Sequence, residues 1–306
     1  MRQSKIGIIG AGAVGAVFAE LLYRKYGDEV TALADEKRIE NIKKEGGIII
    51  NGEPAQFPIT PFCIFDDHPF ALLILSVKGY QLKDALKQAD ACIGERTQII
   101  SLMNGITPVR VLADAYGTGR VPLAFTVGQD SVRKGYRIQW SNQGKIIIGE
   151  NKVPSTSLRA EGIKHKLKKA GISCEVPYDM NHALWWKFMV NVGVNQVSAV
   201  LDAPYGEFQK NGAPRDMMLS AIYEVQHAAR FEGVELSNED VESWLSLLGR
   251  LNPEGETSML QDVRAGRKTE VELFSGTMLS LGEKHGLDLP VNKELYRKLT
   301  EKGETS

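Results

Sequence analysis

The sequence predicts an α/β chain in two parts: a doubly wound domain with a parallel sheet over residues 1–178, then an all-helical domain over 179–306. Three observations predict it. The glycines Gly10, Gly12 and Gly15 directly follow a short apolar run and open an amphipathic helical pattern. Continuous apolar strands then alternate with helical segments, the pattern of a parallel sheet covered on both faces. Beyond about Tyr178 strand signals stop and long helical segments dominate.

The first strand is the run Ile6 to Ile9, and the helix after the glycines covers about Ala13 to Tyr26. A second strand, Glu29 to Ala34, ends at Asp35, at the distance from the glycines where an acid hydrogen-bonds a ribose. The first glycine permits a tight turn, the second lets backbone approach a pyrophosphate, and the third lets helix and strand pack closely. The anion would then sit at the positive end of the helix. Strand, glycines, helix and acid together read as a Rossmann-type dinucleotide-binding domain, with Gly10, Gly12, Ala13, Val14 and Gly15 forming the phosphate cradle. A glycine-rich turn that binds nothing is the plain alternative.

A charged helix over about Glu36 to Glu45 follows, and Asn51-Gly52 is a hairpin turn signal. Two further strand–helix units run from Ala71 to Ala89 and from Gln98 to Tyr116. Strands such as Val121 to Val127 and Lys145 to Ile148 predict an antiparallel extension of the same sheet. A helix over 156–170 and a short strand, Ile172 to Val176, close the first domain. Helices are then expected over 182–200, 215–232, 238–249 and 270–284, before a frayed tail from Glu301.

At 306 residues the chain is long enough for two cores. With 37 basic and 38 acidic residues the formal net charge is -1, so no global field exists to hold nucleic acid or an anionic membrane. Cys63, Cys92 and Cys174 are widely spaced and read as core thiols of a reducing compartment. His68, His165, His182, His227 and His285 show no metal-ligand spacing, so no metal is expected. Arg2 and Lys5 before an apolar stretch resemble a secretory leader, but the glycines inside that stretch fit the phosphate cradle instead. No long uncharged apolar run occurs elsewhere, and a cytoplasmic protein is expected.

Lys78 and Asn104 each follow the carboxyl end of a strand, where doubly wound sheets bind ligands. The plain readings are a solvated strand-end lysine and an ordinary Asn-Gly turn. In the helical part, Lys187, Asn191 and Asn195 recur every four residues along one helix face, with apolar residues between them. Asparagine is a poor interior helix residue, so this face reads as the lining of a pocket. Ser258 with Gln261 and Thr269 with Glu272 have the spacing of capping boxes. Capping would explain Ser258 and a first-turn position would explain Glu270; a helix start also points polar groups at ligands, and both readings stand.

In order and type these residues resemble the ketopantoate reductase (2-dehydropantoate 2-reductase) family over nearly the whole chain. The carrying residues are Gly10 to Gly15, Ser76-Val77-Lys78, Met103-Asn104-Gly105, Lys187 with Asn191 and Asn195, and Ser258 to Asp262 with Thr269-Glu270. The resemblance implies an active site in a cleft between the two domains and reduction of 2-dehydropantoate by NADP(H). It implies Lys187 as general acid, Glu270 as assisting carboxylate, Asn191, Asn195 and Ser258 as substrate-holding groups, and Lys78 and Asn104 as links between cofactor and substrate. The partner is then a small 2-oxo acid, with a homodimer as the candidate assembly. One position departs from the family. Where an arginine commonly follows the second strand, this chain has Asp35, which suits the ribose diol of NAD(H) and repels a 2′-phosphate. Asp35 as a helix N-cap is its purely structural reading. Reduction of a different 2-oxo acid, a dinucleotide-sensing regulator without turnover, and a helical pairing module are the alternative functions.

Overall fold

The structure, a computed structural model, describes residues 5–62 and 70–304, so Cys63 and His68 lie outside the described residues. The chain divides into two compact units, one made of residues 1–104 and 108–180 and the other of 105–107 and 181–306.

The first unit is built on a five-stranded parallel sheet in the order β5-β2-β1-β6-β7, comprising β1 (Ile6–Ile9), β2 (Val30–Ala34), β5 (Ile59–Pro61), β6 (Leu72–Leu75) and β7 (Gln98–Ser101). Every residue of β1 and β6 is buried, as continuous apolar strands require when helices cover both faces. Helix α1 (Ala13–Tyr26) buries Ala16, Val17, Phe18, Ala19 and Leu22. Its one buried carboxylate, Glu20, accepts from Arg24 Nε and from the Gln56 N–H, both at 2.9 Å, so the charge is paired. Helices α2 (Glu36–Lys44), α3 (Leu82–Ala89) and α4 (Thr107–Tyr116) follow β2, β6 and β7 in turn.

Asn51-Gly52 forms the expected hairpin between β3 (Ile49–Ile50) and β4 (Glu53–Pro54), with φ of 49° and 90°. Both central residues of a two-residue hairpin turn need such positive values, which asparagine and glycine tolerate. This hairpin joins β10 (Arg137–Gln139) and β9 (Val132–Lys134) in a separate sheet, β4-β3-β10-β9.

The strands expected to extend the main sheet do pair antiparallel, as β8 (Leu123–Gln129) with β11 (Gln143–Gly149), but they form a three-stranded sheet of their own with β12 (Ser173–Glu175). Backbone chemistry explains the break. The Ile99 N–H donates to Arg120 O at 2.9 Å, which would begin a ladder from β7. The next donor would be residue 122, a proline without an N–H. Helix α5 (Leu158–Lys169), capped by Ser157, carries the chain from β11 to its parallel neighbour β12.

The second unit is helical. Helix α6 (Met180–Val190) passes through a π turn, Asn191–Asn195, into α7 (Gln196–Leu201), and α8 (Tyr205–Gln209) follows. The long helix α9 (Ala213–Phe231) and α10 (Asn238–Leu248) precede α11 (Ser258–Arg264), α12 (Ser275–His285) and α13 (Pro290–Glu304). The helix expected over 270–284 starts only at Ser275; a short 3₁₀ turn, Val271–Leu273, precedes it. The tail expected to fray is helical to Glu304, because Lys302 Nζ donates to the Ala199 and Val200 carbonyls at 3.1 and 2.9 Å. The core of this unit includes Trp185 edge-on to Phe188, and a buried polar knot. In that knot Gln196 Oε1 accepts from the N–H and Oγ of Ser275, at 3.0 and 2.6 Å. Among the described residues no helix is long and apolar enough to cross a membrane.

Candidate active site

In the first unit, four of the singled-out positions fall at the same end of adjacent strands. Ile9 is paired with Leu33 and Leu75, and Leu75 with Ser101, so Gly10, Asp35, Lys78 and Asn104 follow the carboxyl ends of β1, β2, β6 and β7 respectively. That edge is where doubly wound sheets hold ligands.

The three glycines are required for different reasons. Gly10 has φ of 100°, and a Cβ there would lie 2.5 Å from Ser76 O, so the turn packs on the end of β6. A Cβ on Gly15 would lie 2.1 Å from Gly10 O, so the helix approaches the strand end too closely for any side chain. Gly12 differs. Its backbone is ordinary extended chain, and among the described residues beyond its chain neighbours a Cβ there would meet only Arg133 Nη1, 3.9 Å away. The protein itself leaves Gly12 unconstrained, and the opening in front of it has the form of a cradle that a ligand's phosphates would fill.

The first backbone bond of α1 is Ala16 N–H to Gly12 O, at 3.0 Å. The amides of Ala13, Val14 and Gly15 are therefore first-turn donors outside the helical ladder. The helix has no side-chain cap and no acidic residue in its first turn. These features fit a dinucleotide pyrophosphate.

Asp35 is exposed and caps α2, its Oδ1 accepting from the Arg38 N–H at 2.8 Å. The capping role is thus present, and it uses only one oxygen; Oδ2 can still accept from a ribose hydroxyl. Lys78 is half-buried, and its N–H donates to Gln81 Oε1 at 3.2 Å, opening a 3₁₀ turn. Asn104 is half-buried too.

In the second unit, Lys187 lies in the last turn of α6 and Asn191 and Asn195 bound the π turn. Lys187 is half-buried by surface exposure, but its ammonium is withdrawn from water. That desolvation lowers its pKa to about 8. Burial is the cause of that shift.

Asn191 and Asn195 are buried, and Asn195 Nδ2 donates to Asn191 Oδ1 at 3.4 Å. In an α-helix each four-residue step overshoots a full turn by about 40°. The wider π turn takes more residues per revolution and counters that drift, which brings Asn195 back toward the face of Lys187. Gly193 inside the turn lets α9 approach: a Cβ there would lie 2.6 Å from Ile222 Cγ1.

The two capping boxes expected around Ser258 and Glu270 do not form. Thr257, buried, is the cap of α11: its Oγ1 accepts from the Leu260 N–H at 3.2 Å and donates to Ser198 Oγ at 3.1 Å. Ser258 is consequently an exposed first-turn residue whose hydroxyl is not used for capping. Thr269 caps nothing, since Glu272 instead accepts from Tyr296 Oη at 2.8 Å. Glu270 is buried immediately before the 3₁₀ turn and not in the first turn of α12, so the helix dipole does not account for it.

Known proteins share this organisation. The 2-dehydropantoate 2-reductase of Aquifex aeolicus is 28% identical over 94% of this chain and 93% of its own. A solved D-mandelate dehydrogenase, bound to NADH and anilino(oxo)acetate, superposes with a TM-score of 0.86 at 23% identity, covering 98% of this chain and 99% of that one. The dimeric ketopantoate reductase of Staphylococcus aureus superposes with a TM-score of 0.78 at 20% identity, covering 98% and 99%. The family model for ketopantoate reductase PanE/ApbA matches residues 6–152, and the model for its C-terminal part matches 179–303. With glycine loop and polar helical turn both inside the matched stretches, the chain belongs to the ketopantoate reductase family.

Proposed function

We propose that this chain reduces the ketone of 2-dehydropantoate to pantoate, as a cytoplasmic homodimer. The observation that carries the reading is Lys187, an ammonium withdrawn from water in the last turn of α6, just before the π turn that buries Asn191 and Asn195. When bound, a reduced nicotinamide supplies the hydride to the carbonyl carbon.

The electron pair of the carbonyl then collects on oxygen, and Lys187 Nζ supplies the proton that neutralises it. A pKa of about 8 keeps most of this lysine protonated at neutral pH while making it a stronger acid than an exposed lysine. Nζ recovers its proton from solvent. Asn191, Asn195 and Ser258 offer the amides and hydroxyl that hold a substrate bearing carboxylate, ketone and hydroxyl. Glu270 is the assisting carboxylate; Lys78 and Asn104 link cofactor and substrate.

Asp35 favours a ribose with a free 2′-hydroxyl, so NADH is used at least comparably with NADPH, the cofactor that the family resemblance implies. A reducing compartment suits the thiols: among the described residues Cys92 and Cys174 are buried and in no disulfide, and burial pushes Cys174 up to about 12. The test is loss of reduced-nicotinamide absorbance, for NADH and NADPH, with 2-dehydropantoate and a panel of aliphatic and aromatic 2-oxo acids. Turnover of 2-dehydropantoate is expected. Robust turnover of another 2-oxo acid with none of 2-dehydropantoate would overturn the substrate, and cofactor binding without any turnover would overturn the enzyme reading.

A further inference from the structure

Two positive features meet at Gly12. One is the N-terminus of α1, a helix of 14 residues, whose dipole places roughly half a positive charge at its first turn. The other is the Arg133 guanidinium, whose Nη1 lies 3.9 Å from where a Gly12 Cβ would stand. The arginine is set there by its own hairpin. Its Nε donates to Gly135 O at 2.6 Å, and its Cζ lies 5.6 Å from the centre of the Tyr136 ring. With one edge of the guanidinium tied to the hairpin, Nη1 is turned toward the loop.

An anion placed at the first turn of α1, where no acidic residue stands, would meet the positive end of the helix and the guanidinium together. We propose that Arg133 is a phosphate ligand: its guanidinium holds the pyrophosphate of the dinucleotide against the first turn of α1, in the space that Gly12 keeps clear. This rests on the dinucleotide reading of the glycine loop. The pyrophosphate, and not a 2′-phosphate, is the target, because Arg133 faces the second glycine, whereas the adenosine ribose belongs with Asp35 after β2. A guanidinium suits this task through paired donors in a fixed plane.

The test measures binding without turnover, from the fluorescence of the reduced nicotinamide, in the full-length protein. Arg133→Gln is expected to raise Kd for NADH and NADPH by the same factor, about tenfold or more. Arg133→Lys should fall between Gln and wild type and, should the Gln variant not fold, carries the test with a loss of about threefold on both dinucleotides. In competition, Arg133→Gln should weaken ADP and leave adenosine unchanged. Kd values within about twofold of wild type would overturn the proposal, as would a loss confined to NADPH, which would move the arginine to the 2′-phosphate. Failure of the wild-type protein to bind either dinucleotide would instead overturn the reading beneath it.

Discussion

At Gly10 to Gly15 the chain makes room by omitting side chains, whereas at Lys187 to Asn195 it threads polar side chains through a buried helix, and the two regions respond differently to change. In the loop, geometry belongs to the backbone: a Cβ at position 15 meets Gly10 O at 2.1 Å whatever the rest of the side chain is. In the turn, geometry belongs to side chains whose direction depends on one irregular revolution of helix. Substitution in the loop should therefore act on stability or cofactor affinity, and substitution in the turn on the chemical step or on substrate affinity.

The strongest test of this contrast is Lys187→Ala, which should lower kcat by roughly a hundredfold or more while the Kd for cofactor stays at the wild-type value. Near-normal kcat would make this lysine scaffold. With the protonated lysine as the proposed acid, wild-type reductive kcat should be present below and lost above a pH of about 8, and pantoate oxidation should rise through the same range. A reductive profile flat to well above that value would break the assignment.

Within the loop, Gly12→Val and Gly15→Ala should separate. The Cβ of Gly12→Val has Arg133 Nη1 at 3.9 Å as its one near neighbour among the described residues beyond the adjoining chain, so this variant should leave the melting temperature nearly unchanged and raise the cofactor Kd by about tenfold or more. Gly15→Ala should destabilise the fold by about 1–3 kcal/mol, read by denaturant unfolding. Equal destabilisation by both would show that Gly12 serves the fold.

Asp35→Arg should shift the ratio of kcat/KM for NADPH over NADH by about tenfold, or 1.4 kcal/mol. Removing the cap of α2 should also lower stability by about 1 kcal/mol. A wild-type preference for NADPH of about a hundredfold would contradict the role given to Asp35 and point to Lys37 and Arg38 as compensating cations. The smallest effect is expected from Asn195→Ala: a several-fold rise in KM with kcat little changed, since an amide that holds substrate equally in ground and transition states affects binding alone. A matching fall in kcat would place Asn195 at the reacting carbonyl.

The loop was legible because its determinants are local. Helix α1 runs from Ala13 to Tyr26 as its composition implies, ended by Gly27 at a φ of 54°, and Asn51-Gly52 turns the hairpin its own residues dictate. The polar turn was legible in its residues but not in its shape, since nothing in local spacing distinguishes a π turn from continued α-helix; Gly193, needed for contact with Ile222, is the nearest signal. Ser258 and Thr257 are adjacent hydroxyl residues, and only the tertiary bond to Ser198 decides which of them caps α11. Arg133 lies more than a hundred residues from the glycines, and its approach depends on a hairpin in another sheet. The separation of β8 from the main sheet was readable in principle from Pro122, through the donor it lacks.

The π turn also sets the phase of everything that follows it. One added residue in an α-helix rotates the remainder by about 100°. The stripe that α6 turns inward and the stripe that α7 turns inward are consequently out of step, and between Phe188 and Ala199 every residue is buried, whichever way a single helical wheel would aim it. Deleting one residue from Asn191–Asn195 would restore a regular wheel and swing α7, with Gln196 and its bonds to Ser275, away from its present neighbours. The irregularity thus works as a gear between two helical registers, so that a polar face and a packing face can be set independently on one continuous rod.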